Sequence, residues 1–315
     1  SIQTRTLCDS LPRSKMRNKL NLKLILYAVL SIIVTIVIKT QKYYGYFFTN
    51  YSYVRKNEAN MKYILLWTEE KNIPFVYMGL GRDGFISRHC PYTNCIVSGN
   101  RSLLGSTTAF DAIIFAGPEL TTIDIMLPAK RLPSQKFVFA SIESPANYPL
   151  CSNDFNGYFN WTWTFKLDSD IRWGYITIKD MNNNVVGPKK DMNWISWFDM
   201  KPVNETFKQK LKSKRKAVAW FVSNCHSHSR REGYFLNLKM ELNKYNLKVD
   251  VYGDCGRYSC PRDKEYKCNE ILRTNYYFYL SFENAFSEDY VTEKLLHPLQ
   301  NNVVPIVYGG ANYSR

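Results

Sequence analysis

The chain has 315 residues, enough to bury one or two cores, and its 45% apolar and 22% charged residues describe a globular protein. A formal net charge of +15 admits nucleic acid, an anionic membrane or an anionic small substrate as partner. No helix-turn-helix, zinc-finger or RNA-recognition signature accompanies the basic residues, which are dispersed apart from a cluster at 208–216, so no nucleic-acid partner is expected.

Residues 24–38 are an apolar run broken only by Ser31 and Thr35. Arg13, Lys15, Arg17, Lys19 and Lys23 precede it, and no small-residue cleavage pattern follows it. The basic flank leaves the N-terminus cytosolic. The pattern predicts a type II signal anchor: a cytosolic tail at 1–23, a transmembrane helix at 24–38, an aromatic and polar stem at 39–60, and a luminal body beyond. Asn-x-Ser/Thr acceptors stand at Asn50, Asn100, Asn160, Asn204 and Asn312. Asn204, in a polar stretch, suits occupancy best, and Asn160 reads as buried in a strand.

Along the body, strand-like runs cover 62–67, 110–115 and 137–140, the last followed by the turn Ser141-Ile142-Glu143-Ser144-Pro145. A region rich in Asn, Lys and Pro, about 180–215, reads as a linker. The alternation then restarts with a strand at 216–222. An amphipathic helix follows at 229–245, carrying Tyr234, Phe235, Leu238, Leu242 and Tyr245, then a strand at 248–252 ending at Gly253. The aromatic strand 276–282 leads into Glu283, Asn284, Ser287, Glu288 and Asp289, then a short helix at 292–300 and a strand at 303–308. Strand, polar loop, helix and strand make one unit of a parallel α/β sheet, where ligands sit beyond the carboxyl ends of strands. A luminal setting favours disulfides: Cys90 and Cys95 are close enough to bridge a tight loop, and Cys255, Cys260 and Cys268 form a second cluster.

The residues FENAFSEDYVTEK resemble the signature of the α1,3/4-fucosyltransferases, with Ala285 where that family usually has Ser. FASIESP, FNWTWTFKLDSDI, VSNC and VDVYGDCG are similar to further segments of the same family, in the same order; Asp254 stands where Lys is frequent. The resemblance spans about 63–315. It implies a GT-B arrangement, an α/β fold of two Rossmann-like domains with a cleft between them. Here these are an acceptor-side domain at 61–195, a linker at 196–215 and a GDP-fucose-binding domain at 216–315. Family members usually continue beyond the last strand, so this domain is expected to be incomplete. The resemblance also implies a Golgi enzyme that moves L-fucose from GDP-fucose to a GlcNAc hydroxyl of a glycan or glycoprotein.

Single-displacement transfer needs a base at the acceptor hydroxyl and cations at the departing diphosphate. The resemblance assigns Glu143 as the base, and Arg230 and Lys294 as the cations; Arg231 is the alternative to Arg230. Asn284, Tyr290 and Glu293 are assigned to ribose and fucose hydroxyls. Glu283 either joins them or caps the loop. Asn224 and Tyr252 shape the nucleotide pocket or pack beside it. No metal is required on this reading, and a divalent cation, Mn or Mg, would at most stimulate. Two rivals remain. Asp168-Ser169-Asp170 is a D-x-D triplet, which in a GT-A transferase holds a divalent ion, although here it falls inside a family segment and reads as structural. The other rival is a membrane-anchored glycan-binding protein without turnover.

Overall fold

The computed structural model describes residues 60–69, 71, 73, 75–121 and 126–315. The expected tail, the anchor at 24–38, the stem up to residue 59, Cys8 and Asn50 lie outside the described residues. Among the described residues no helix is long and apolar enough to cross a membrane.

The strand-forming runs of the first half are short and apolar on both faces, which suits a parallel sheet covered on both sides. They give β1 (Lys62–Leu66), β2 (Cys95–Ser98), β3 (Ala112–Ala116), β4 (Lys136–Ser141), β5 (Trp161–Thr164) and β6 (Ile171–Arg172). A short helix, α1 (Asp83–Ser87), lies between β1 and β2. The sheet order is β2-β1-β3-β4-β5-β6, parallel throughout. One face buries Leu66, Val97, Ile114 and Val138 under Phe75. The other carries Phe115, Phe137, Tyr158 and Phe159, whose rings contact at centroid separations of 5.2–5.8 Å. Each large side chain so buried stabilises the fold by about 1.5–3 kcal/mol.

A small antiparallel pair, β7 (Ile178–Lys179) and β8 (Val185–Gly187), follows. The expected linker is only partly irregular, because its end forms α2 (Glu205–Ser213). Asn204 caps this helix by accepting from the Phe207 amide at 2.8 Å. Glu205 stands at the positive end and Lys210 and Lys212 at the negative one. Lys208, Lys210 and Lys212 of the basic cluster therefore lie on the exposed face of α2, while Lys214 is buried.

The second half contains β9 (Lys216–Phe221), α3 (Arg231–Lys244), β10 (Val249–Tyr252), α4 (Glu265–Asn275), β11 (Tyr276–Phe282), α5 (Glu293–Gln300) and β12 (Val304–Tyr308). Its sheet order is β10-β9-β11-β12, again all parallel. α3 lays Phe235, Leu238 and Leu242 on Val218, Trp220, Leu280 and Phe282. Leu272 of α4 covers the opposite face against Ala219, Tyr276 and Tyr279. Both sheets belong to one compact unit, 58–315.

The cysteines correct one expectation. Cys225–Cys255 and Cys260–Cys268 are disulfides, but Cys90 and Cys95 are free, as is Cys151. Cys90 donates its amide to the Phe85 carbonyl, and Cys95 opens β2 beside Lys62 of β1. Asn160 is a second correction. It is exposed at the entry to β5, where its Oδ1 accepts from the Phe137 amide at 2.9 Å and from Arg131.

Candidate active site

β4 ends at Ser141, and the turn after it is tied by short polar side chains. Ser141 Oγ accepts from the Glu143 amide at 3.2 Å and donates to the Glu143 carbonyl at 3.1 Å. Ser144, fully buried, accepts from the Ala146 amide. This pinned turn leaves the Glu143 side chain partly buried. Its carboxylate meets a residue 147 positions away: the Tyr290 hydroxyl donates to Glu143 Oε2 at 3.0 Å. Tyr290 is held in turn by Phe165, at 4.9 Å between centroids, and by Tyr175 at 6.1 Å. Tyr175 donates its hydroxyl to the Ile142 carbonyl at 2.8 Å. Burial, and after it the Tyr175 and Glu143 charges, push the Tyr290 hydroxyl far above its ordinary value. It is therefore a neutral donor across the physiological range. Asp289, in a left-handed conformation (φ 60°), adds a second tie between the halves, accepting from the Leu167 amide at 3.1 Å. The FENAFSEDYVTEK loop of the second half is thereby fastened to the β4, β5 and β6 loops of the first.

The same loop is clamped from below by Glu283, which follows β11. Glu283 is completely buried. It accepts from the Thr292 amide at 2.8 Å and from the Thr292 hydroxyl at 2.9 and 3.0 Å, and it pairs with Lys294 at 3.2 Å. Thr292 caps α5 by accepting from the Lys294 amide at 3.4 Å. Lys294 Nζ also reaches Thr292 Oγ1 at 2.8 Å and Glu293 at 3.2 Å. Burial raises the Glu283 carboxyl, against the pull of Lys294 and Thr292. For Glu293 burial also pushes upward, but Lys294 and the backbone amide outweigh it and hold the carboxyl below its ordinary value. Lys294 thus lies between two carboxylates at the start of a helix. Asn284 gives its carbonyl to the Ser229 amide, while its Oδ1 is buried without a hydrogen-bond partner.

At the N-terminus of α3 two adjacent arginines part company. Arg231 is buried: Nη1 donates to the Phe282 carbonyl at 2.6 Å, Nη2 to the Asn224 carbonyl at 3.1 Å, and Nε faces Glu232 at 3.4 Å. It ties the end of β11 to the loop after β9. Arg230 has φ 52°, makes no capping bond and is exposed. With His226, Ser227, His228 and Glu232 it lines a hollow of about 320 Å³. Asn224 closes its own turn by accepting from the His226 amide at 3.1 Å. Tyr252 points away from this loop: its hydroxyl lies 2.8 Å from that of Tyr276, which donates to Asp250. Where the strand-end pattern points to a pocket wall, the ring is in the packing. Gly253, with φ 94°, is required because a Cβ there would stand 2.6 Å from the Val222 carbonyl oxygen. The Cys225–Cys255 bridge fixes the two strand-end loops to each other.

Asp168 and Asp170 have separate partners. Asp168 pairs with Lys166 at 3.5 Å, and Asp170 accepts from the Thr162 amide and hydroxyl at 2.8 and 3.0 Å. Among the described residues no three His, Cys, Asp or Glu side chains converge as metal ligands. Sequence reasoning missed Tyr175, which positions the site. The N-cap pattern before α5 signals Thr292; nothing local signals Tyr175, whose partners are distant in the chain.

Two family profiles match the chain: "Fucosyltransferase, N-terminal" over 59–176 and "Glycosyltransferase family 10 (fucosyltransferase) C-term" over 211–315. The chain belongs to glycosyltransferase family 10. Alpha-(1,3)-fucosyltransferase C of Drosophila melanogaster is 38% identical over 261 residues, 80% of this chain and 59% of that protein. Glycoprotein 3-alpha-L-fucosyltransferase A of the same species is 34% identical over 81% of this chain and 44% of its own length. The chain thus spans about half the length of these curated relatives. A crystal structure of an α1,3-fucosyltransferase with GDP-fucose aligns at 18% identity over 82% of this chain and 72% of that one, with a TM-score of 0.43.

Proposed function

We propose that this family 10 protein transfers L-fucose from GDP-fucose to a hydroxyl of a GlcNAc residue in a glycan, forming an α1,3 bond with inversion. The relatives named as α1,3-fucosyltransferases support fucose transfer and the linkage. The observation that carries the mechanism is the Tyr290–Glu143 hydrogen bond, which joins the pinned turn of the first half to the signature loop of the second. In the proposed step Glu143 takes the proton of the acceptor hydroxyl. The freed oxygen attacks the anomeric carbon from the face opposite GDP, a new C–O bond forms, and the bond to the diphosphate oxygen breaks with its electron pair leaving on GDP. Arg230, exposed at the start of α3, grips diphosphate oxygens, and the helix dipole adds to its field. Lys294 supplies a second cation once its carboxylate partners share it with the nucleotide. The unpartnered Asn284 Oδ1 and the exposed Glu293 accept from sugar hydroxyls. On this reading the two sheets are the two lobes of a GT-B enzyme, anchored through 24–38 in the Golgi membrane with its body in the lumen.

The test is turnover of GDP-fucose by the full chain with a panel of GlcNAc-containing glycans. Transfer that survives chelation and is lost in Glu143→Gln supports the proposal. Transfer abolished by chelation favours a metal-dependent route through Asp168 and Asp170. A folded protein that binds GDP and transfers to no glycan in the panel removes the enzyme reading.

A further inference from the structure

Consecutive residues of the first half, Phe165, Lys166 and Leu167, meet consecutive residues of the signature loop, Glu288, Asp289 and Tyr290, along one seam. The Phe165 ring packs on the Tyr290 ring at 4.9 Å between centroids. Lys166 Nζ pairs with Glu288 at 3.5 Å, and the Leu167 amide donates to Asp289 Oδ2 at 3.1 Å. These rungs differ in kind. The Lys166 and Glu288 side chains are 36% and 64% exposed, so water and salt weaken their attraction. The ring contact is buried but has little directionality. The Asp289 side chain is only 6% exposed, and its hydrogen bond to Leu167 is directional. Its other oxygen, Oδ1, accepts from Arg315 at 3.2 Å. Burial lowers the Arg172 guanidinium of β6 from its ordinary value, and the Asp289 charge opposes that. The backbone turns at the same residue. Asp289 has φ 60°, which aspartate, asparagine and glycine adopt most readily, and its carbonyl accepts from the Val291 amide at 3.0 Å.

We propose that Asp289 is a positioning residue for the candidate base: its carboxylate, seated on the Leu167 amide, sets where the Tyr290 hydroxyl stands, and through that hydroxyl where the Glu143 carboxylate points. This rests on the fucosyl-transfer reading above. The Tyr290 hydroxyl that donates to Glu143 stands at the far end of a rigid side chain. A small turn of the backbone at 289 therefore carries it out of hydrogen-bond range. A misplacement of about 1 Å near a reacting group is enough to slow a reaction about 10²-fold. The Phe165 ring limits the tilt of Tyr290, whereas the Asp289–Leu167 bond fixes how far the loop can slide along the first half. In this scheme Asp289 touches neither substrate and acts only through its neighbour. The exposed Lys166–Glu288 rung contributes little to the setting.

The experiment compares the full chain with Asp289→Gly, Asp289→Asn, Glu288→Gln, Tyr290→Phe and the double variant Asp289→Gly/Tyr290→Phe. Glycine keeps the left-handed backbone and removes the carboxylate, while asparagine keeps both the conformation and an oxygen for the Leu167 amide. The expected kcat for transfer from GDP-fucose is about tenfold lower in Asp289→Gly and within about threefold of the parent in Asp289→Asn. GDP affinity by calorimetry should stay within about twofold, as should kcat in Glu288→Gln. Because Asp289 acts through Tyr290, the double variant should be no slower than the slower single variant. Hydrogen exchange supplies a readout that needs no turnover. The Glu143 and Ala146 amides, bonded to Ser141 and Ser144, should lose protection about tenfold in Asp289→Gly and in Tyr290→Phe alike, and keep it in Asp289→Asn. If Asp289→Gly does not fold, exchange in the parent chain under mild denaturant decides: residues 141–146 and 165–169 should open together, and independent openings overturn the proposal. Parental kcat in Asp289→Gly, losses that multiply in the double variant, or unchanged exchange at 141–146 also overturns it. A parent chain that transfers nothing removes the enzymatic reading, and the exchange pattern then decides alone whether Asp289 sets the Glu143 turn.

Discussion

The turn after β4 and the loop after β11 each begin with a glutamate beyond the end of a parallel strand, and the two are held in opposite ways. Glu283 is fully buried, saturated by Thr292 and paired with Lys294. Glu143 is partly buried; a single tyrosine hydroxyl binds its carboxylate, and Ser141 bonds only its backbone. A carboxylate with every lone pair engaged and no exposure is a structural clamp. One with spare lone pairs at a boundary between halves can accept a proton and give it up. The contrast separates a residue that builds the loop from the one proposed as the base, though both follow a strand of the same kind.

The largest expected effects are on this pair. Glu143→Gln keeps the shape and removes the proposed base, so kcat should fall about 10²–10⁴-fold. Its unfolding free energy should stay within about 0.5 kcal/mol of the parent. Glu283→Ala should do the reverse at the level of the fold: it strips Lys294 and the Thr292 amide of a buried partner, at a cost of about 3 kcal/mol. Chemical denaturation read beside turnover checks both. Equal stability losses in the two variants would erase the distinction.

That distinction was half legible in the sequence. FENAFSEDYVTEK reads as strand, loop and capped helix because an aromatic run meets a Thr-Glu helix start, and the motif order placed Glu143 after a strand. Burial was not legible, since whether Glu283 or Glu143 is enclosed depends on Tyr175, Phe165 and Thr292 folding over them. α2 hid as linker because none of its residues is buried, so it has no apolar stripe to read. β2 was missed because four residues are too few for a period. Arg230 and Arg231 could not be told apart, because a one-residue shift at a helix start reverses which one faces solvent.

Those two arginines repeat the contrast at smaller scale. Arg231→Met leaves the Phe282 and Asn224 carbonyls without donors and should cost about 1–3 kcal/mol of stability. Arg230→Ala should leave stability within about 0.5 kcal/mol and raise the KM for GDP-fucose instead. Unfolding curves and donor titrations of the two variants give the answer. Tyr290→Phe tests the contact that links the halves. It should lower kcat about tenfold with little change in donor KM, since the tyrosine positions Glu143. It should cost about 1 kcal/mol of stability.

The smallest effect is a slope, and its sign tells whether burial or the ion pair governs Glu283. Burial holds its folded carboxyl above the ordinary value of 4.5, with Lys294 and Thr292 opposing. Between that value and the raised one the folded chain binds more protons than the unfolded chain. The contribution is fully present below the ordinary value and is lost as pH rises through the raised one. Asp250 runs the other way. Burial pushes it up, but the hydrogen bonds from Lys216 and Tyr276 outweigh this and hold it below 3.8. Its contribution is present above that value and is lost as pH falls through the depressed one. Unfolding free energies of the parent chain, Glu283→Gln and Asp250→Asn, measured from about pH 2 to pH 8, should show opposite trends. The advantage of Glu283 over Gln should shrink as pH rises, while the advantage of Asp250 over Asn should grow as pH leaves the acid end. A Glu283 advantage that grows with pH would mean that Lys294 and Thr292 more than offset its desolvation. The clamp would then be a full ion pair, and Lys294 would be held too tightly to turn toward a diphosphate.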